Sequence, residues 1–442
     1  MTTRFTAALA AALLAAASLF TGAKPSRAAD PFIPGAYLWT QAYDADLKGS
    51  AGLGTGDWAA YKAWLGVPAL AVESDAGWGP GDWYDSSQHV NWNAAWGAMQ
   101  QRQGAAMPVV MLGIGQMPSD PNGNDSWDKK LTWENKIWQL EADNDPATMA
   151  YFATYAQELD KGSMGFGAFK GAIIRLGYEF DGGWNPFGNL NVMSKMPGNY
   201  IQAWRNIVKT MRANDPKHII KGFCWNPTDG SVQINQFAYY PGDEYVDYIA
   251  FDEYDFGYNG DYKVSADQPT QAQQDAAWKN MELPRINRFA DLSRAHGNKP
   301  IIVGEWGLWQ LGDKSHPSGG DNPSYIRRMH DWMADPKNHV YLEVYFETPS
   351  DGVSQLWPGG KNPAWRHGTT FPKSAALYRT LFGAASYAKP AAKKPVAKKP
   401  VAKKPVARKP VAKKPVARKP VARKPVAKKA PAKAKHAKAR RR

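Results

Sequence analysis

Residues Gly171–Trp184 read GAIIRLGYEFDGGW: an apolar run, a break at Gly177, then an acid, a glycine pair and a tryptophan. An unbroken apolar run that opens into a loop is the pattern of a strand buried on both faces of a parallel sheet. Glu179 then stands at the carboxyl end of that strand, with Arg175 inside it and Trp184 beyond. Pro300–Trp309, PIIVGEWGLW, repeats this grammar, with Glu305 following an apolar strand and Gly304. Proteins built on α/β barrels carry their chemistry at the carboxyl ends of the strands.

Outward from these stretches, apolar strand-like runs alternate with helical patterns eight times. The strands are expected near residues 35–39, 70–74, 107–113, 172–177, 219–225, 245–251, 301–304 and 340–346. Helices are expected at 58–64, 90–104, 147–159, 199–212, 271–296, 324–334 and 374–381. This alternation predicts an α/β chain forming a single (β/α)8 TIM barrel over residues 30–387. The one cysteine, Cys224, lies in a strand-like run and reads as a small core residue, so the fold relies on its core and not on disulfides.

The chain opens with Arg4, an Ala/Leu-rich run from Ala7 to Phe20, and Ser26-Arg27-Ala28. That pattern predicts a signal peptide over residues 1–28 and an exported protein, extracellular or periplasmic. The run is too short to span a membrane stably, and no later stretch is long enough. From residue 388 the sequence repeats PVAKK or PVARK to the end. Recurrent proline and like charges predict a disordered basic tail over residues 388–442.

The tail decides how the net charge of +15 is read. Of 55 Lys and Arg residues, 23 lie in 389–442 and three in the first 28, where no acid occurs; 29 remain against 40 acids, leaving the barrel region near −11. A nucleic-acid-binding barrel is not supported; affinity for anionic envelope polymers would belong to the tail. The tail reads equally well as a solubilising low-complexity segment. Nothing in the sequence calls for an oligomer, and a monomer is expected.

Two carboxylates at the ends of strands four and seven, both ringed by aromatics, suit hydrolysis of a glycosidic bond. One acid would protonate the leaving oxygen and the other would attack the anomeric carbon, with Arg175 beside it. Aromatic rings offer platforms to the apolar faces of sugars. None of the eight histidines is spaced with another His or Cys as a metal pair, so no metal or other cofactor is expected.

RLGYEFDGGW resembles the fourth-strand motif of glycoside hydrolase family 26, a clan-A family of retaining endo-β-mannanases and relatives. KPIIVGEWG resembles its seventh-strand segment, FCWNP its fifth-strand end, and YYPGDEYVDYIAFDEYD (Tyr239–Asp255) its sixth-strand signature. The resemblance spans roughly residues 35–385. It implies Glu179 as acid/base and Glu305 as nucleophile, with Arg175, Tyr178, Trp184, Trp225, Tyr254 and Trp306 at the substrate and Asp252 as a supporting acid. It implies a polysaccharide substrate, with β-mannan first. Two positions depart from the pattern: Tyr178 stands where the family has His, and Asp181 where it has Asn. The change at Tyr178 leaves β-1,3-xylan, β-glucan or an exopolysaccharide open as substrates. A non-catalytic glycan-binding barrel held on the envelope by its tail, or a polyanion-binding scaffold, would also carry such a sequence. Two opposed carboxylates argue for the enzyme.

Overall fold

The computed structural model describes residues 32–38, 55–75, 92–115, 137–161, 169–182, 197–228, 235–348, 354–359 and 371–383. The leader, the basic tail and Trp184 lie outside the described residues. Eight parallel strands close into a barrel in chain order. They are β1 (Ile33–Leu38), β2 (Ala71–Asp75), β3 (Val110–Ile114), β4 (Ala172–Leu176), β5 (Ile220–Trp225), β6 (Tyr248–Tyr254), β7 (Ile301–Gly307) and β8 (Val340–Glu347). β8 pairs with β1 over Ile33–Leu38, which closes the ring. The expected (β/α)8 barrel is the observed fold.

Strand alternation sorts the side chains into two populations. Ala71, Met111, Ile173, Cys224, Ala250, Ile302, Leu342 and Val344 form one buried cluster that fills the barrel. Val72, Leu112, Ile174, Phe223, Phe251, Val303 and Tyr345 join the larger cluster under the surrounding helices. Cys224 is thus a barrel-core residue, fully buried and unpaired.

The helices include α1 (Thr55–Leu65), α2 (Trp92–Gln103), α3 (Pro146–Lys161) and α4 (Pro197–Ala213). The single helix expected at 271–296 is interrupted. α5 (Gln271–Ala277) begins at a Thr270 capping box and passes through a π turn, Trp278–Glu282, into α6 (Leu283–Ala295). Pro284 has no N–H to donate and its ring crowds the preceding turn, and the wider turn relieves both. α7 (Pro323–Ala334) and α8 (Pro372–Phe382) complete the described helices. No helix among the described residues is long and apolar enough to cross a membrane.

β6 runs three residues past its expected end, through Asp252, Glu253 and Tyr254. Polar residues persist there because each has a partner: Asp252 meets Arg175, Glu253 meets Arg285, and Tyr254 meets Glu305. Opposite them lies a bulge. Phe251 pairs with Val303 but Asp252 with Glu305, so Gly304 and Glu305 share one place on β7. The extra residue reverses the phase of β7 and turns Glu305, otherwise directed outward, onto the barrel axis.

The same reversal sends Trp306 outward. It is fully buried among Tyr325, Tyr345, Tyr378 and Phe382, and its Nε1 donates to Glu343 Oε2 at 2.7 Å. Trp225, next to the inward-facing Cys224, is fully buried against Phe180, Phe237 and Tyr240. Trp225 and Trp306, two of the three tryptophans expected at the sugar, are therefore packing residues with no exposed face.

Buried Glu343 and Glu347 are each pushed up to about 8 by burial, against the N–H groups that donate to them. The fold holds their protons more tightly than the unfolded chain does. Their contribution is full below the ordinary carboxylate pKa and is lost as pH rises through about 8. The urea-unfolding midpoint should fall between pH 5 and pH 9, and less steeply in Glu343→Gln. An equal fall in that variant would show that Glu343 is not a source of the dependence.

Candidate active site

Arg175 is the inward residue of β4 one pleat above Ile173, and it is fully buried. Its Nη1 donates to Glu73 Oε1 at 2.6 Å and to Glu305 Oε1 at 2.7 Å. Its Nε donates to Asn226 Oδ1 at 2.7 Å, and its Nη2 to Asp252 Oδ2. One guanidinium therefore joins the ends of β2, β5, β6 and β7. An isolated buried cation would be prohibitively costly, and four hydrogen-bonded partners make it tenable.

Glycine leaves room for this cluster. A Cβ on Gly304 would lie 2.6 Å from Asn226 Oδ1, 2.9 Å from Asp252 Oδ1 and 3.4 Å from Arg175 Nε. On β3, the place of a Gly113 side chain is taken by Asp75 Oδ1, with the Tyr178 ring beside it. The glycines at these two strand ends are spaces for the neighbours' polar atoms.

Glu179 sits just past β4 in a left-handed conformation, φ 49°, after Gly177 at φ 55°. Such a conformation is unfavourable for glutamate and persists only where the surroundings hold it. Gly177 N donates to Ile114 O on β3, and Glu179 N donates to Asn226 O beyond β5, each at 2.8 Å. Asp181 is buried and accepts from Thr228 N at 2.7 Å and Thr228 Oγ1 at 3.0 Å. The acid at 181 thus ties the loop after β4 to the loop after β5.

Carboxylate oxygens of Glu179, Asp252 and Glu305 all lie within 4.8 Å of one another. Glu179 is partly exposed and Glu305 nearly buried. Tyr254 OH donates to Glu305 Oε2 at 2.8 Å, so both oxygens of Glu305 are engaged and its plane is fixed. A cation could span the three acids by distance, but Arg175 already supplies a positive charge to two of them. Tyr178 packs its ring 4.9 Å from the Arg175 guanidinium. Arg175, Tyr178, Glu179, Tyr254 and Glu305 are brought together as expected in space, and Asp252 stands among them.

Four contributors escaped the motif reading: Tyr37, Glu73, Asp75 and Asn226. Each falls on an inward position near a strand end, and that alternation is the signal that could have found them. Burial raises Asp75 to about 7 and Glu305 pushes the same way, while Arg175 and a hydrogen bond from Tyr37 oppose them. Burial likewise drives Glu73 and Asp252 upward, with Arg175 as the leading opposing influence. A single guanidinium faces four nearby acids, and burial favours the protonated forms of Glu73, Asp75 and Asp252. Burial opposes the charge on Arg175, but Asp252, Glu73, Glu305 and Asp75 outweigh it and hold the cation.

Two substitutions test this network. Arg175→Ala strands the buried acids and should cost about 3–5 kcal/mol in urea unfolding. Gly304→Ala should cost about 1–3 kcal/mol by overpacking. Near-parental unfolding curves for both would contradict a structural role for the cluster.

Residues 147–279 match the model of glycosyl hydrolase family 26. Among curated proteins, Endoglucanase H of Acetivibrio thermocellus is 25% identical over 258 residues, which is 58% of this chain. The match spans about a quarter of that relative's length, 24%. Among solved structures, a modular endo-β-1,4-mannanase from Cellulomonas fimi is similar at TM-score 0.49 and 15% identity, covering 78% of this chain and 70% of that one. A family-26 β-mannanase from Bacteroides ovatus is similar at TM-score 0.47 and 15% identity, covering 79% and 88%. The family match ends before β7 and Glu305, but it takes in β4, β5 and β6. The segment that contains Arg175, Glu179, Asp252 and Tyr254 is thus similar to glycosyl hydrolase family 26.

Proposed function

We propose that this chain is a retaining endo-β-glycanase, with β-mannan as its first substrate class, exported by its leader. The observation that carries the reading is the approach of Glu179 and Glu305 to within 4.8 Å. Retaining enzymes hold their carboxyl groups about 5–5.5 Å apart, whereas inverting enzymes leave a wider gap for water.

In this reading Glu305 attacks the anomeric carbon while Glu179 protonates the departing glycosidic oxygen. Arg175 and Tyr254 aim the Glu305 carboxylate, so little reorganisation is needed as the bond forms. Forming the glycosyl-enzyme bond consumes the charge of Glu305. The neighbouring Glu179 then loses a repulsive partner, which favours its ionised form and suits it to draw a proton from water in the second step. Tyr178 and Trp184 are proposed to contact the sugar beside this pair. The basic tail is proposed to hold the enzyme on anionic envelope polymers, without a part in turnover.

Reducing-sugar release from mannan, xylan, glucan and mixed-linkage β-glycans tests the reading. The parent should act on at least one, Glu305→Ala should lose at least about a thousandfold, and NMR should show the β-anomer formed first. A chain lacking residues 388–442 should keep its activity. An α-anomer as first product would refute the retaining assignment, and equal activity in Glu305→Ala would refute the nucleophile.

A further inference from the structure

From Tyr254, which touches Glu305, a continuous row of rings leads to the surface. The Tyr254 ring lies 5.5 Å from Phe256, stacked, and 5.3 Å from Trp309, edge-on. Phe256 in turn stacks on His316 at 4.9 Å and meets Tyr258 at 5.3 Å. Phe256 is buried at the centre, but Trp309 and His316 are partly exposed and Tyr258 is 51% exposed. Tyr258 is one of three exposed large hydrophobic residues among those described, with Tyr151 and Val264.

The row is held firmly. Asp313 accepts from Trp309 Nε1 at 2.9 Å and from Ser315 N at 2.8 Å, and pairs with His316 Nδ1 at 3.3 Å. Phe256 and Ser318 form an antiparallel bridge, and Gly257 N donates to Pro317 O at 2.9 Å. The loops after β6 and β7 are thus one braced unit. No core requirement explains bringing Tyr258 and His316 out to solvent at the edge of this unit. Rigid aromatics with a wet edge are the side chains that bind amphipathic rings at low ordering cost.

We infer that Tyr258 and His316, backed by Phe256 and Trp309, form a distal platform for a further sugar ring of the polysaccharide chain. The occupant is assigned by continuity: the row begins at the hydroxyl that orients Glu305 and runs without a break to the exposed edge. A glycan lying across the two carboxylates reaches this edge with the apolar face of a ring. The inference rests on the glycanase reading for its ligand and adds to it a binding residue on each of two loops.

Native electrophoresis in gels containing the glycan tests binding without turnover, and hydrolysis of the same glycan is measured separately. The parent should be retarded, and Tyr258→Ala and His316→Ala should each weaken retardation by about tenfold in apparent affinity. Circular dichroism and thermal unfolding confirm that both variants are folded; Tyr258→Phe, which keeps the ring, should restore binding. In hydrolysis, the loss on the polymer should exceed the loss on a short aryl glycoside. Parental retardation in both alanine variants overturns the platform, even if the parent hydrolyses glycan. Retardation that depends on Tyr258 without any hydrolysis sustains the platform and removes the glycanase reading. Absence of retardation by every β-glycan, in the parent as well, overturns the platform, and absence of hydrolysis alongside it overturns the glycanase reading too.

Discussion

The buried guanidinium of Arg175 is the constraint on which the upper barrel depends. It meets Glu73, Asp252 and Glu305 on three different strands and Asn226 just beyond a fourth. A barrel needs its interior filled, and apolar residues fill the lower layers here. At the carboxyl end the filling becomes ionic, because a site for chemistry needs charges held in place. The arrangement works only as a whole: removing the cation leaves acids buried, and removing the acids leaves a cation buried.

Geometry around that cation is controlled by small departures from regular structure. The bulge at Gly304 turns Glu305 inward and Trp306 outward in one step. The left-handed backbone at Glu179 lifts the other acid above the end of β4, where Asn226 O and Ile114 O hold the loop. The first device re-aims a side chain and the second redirects a loop. Together they bring two carboxylates from the ends of β4 and β7 to within 4.8 Å of each other. The π turn before Pro284 is a third departure, and it delivers Glu282 to the buried side of its helix.

The two departures from the family pattern take on different meanings. Asp181 is absorbed into loop bracing through Thr228, so its change from Asn follows from the backbone N–H and hydroxyl it accepts. Tyr178 packs its ring against Arg175 and beside Asp75, filling space at the edge of the charged cluster. At this position a phenol differs from an imidazole in size and in its donor.

Sequence by itself determined the barrel, the order of its strands and the two acids that face each other. Apolar periodicity and a turn after each strand are local properties, and local properties are legible along the chain. It also determined that Arg175, inside an apolar strand, needs partners. It did not disclose which partners, since Glu73, Asp75 and Asn226 become neighbours only when the ring closes and distant strand ends meet. Trp225 and Trp306 were misassigned for a related reason. A tryptophan beside a functional motif reads as a sugar platform, yet facing in or out is set by strand phase. For Trp306 that phase is reset by a bulge visible in the pairing of β7 with its neighbours β6 and β8. Tertiary structure decided the facing, the partners and the 4.8 Å approach, because each depends on the register between strands that the linear order does not contain.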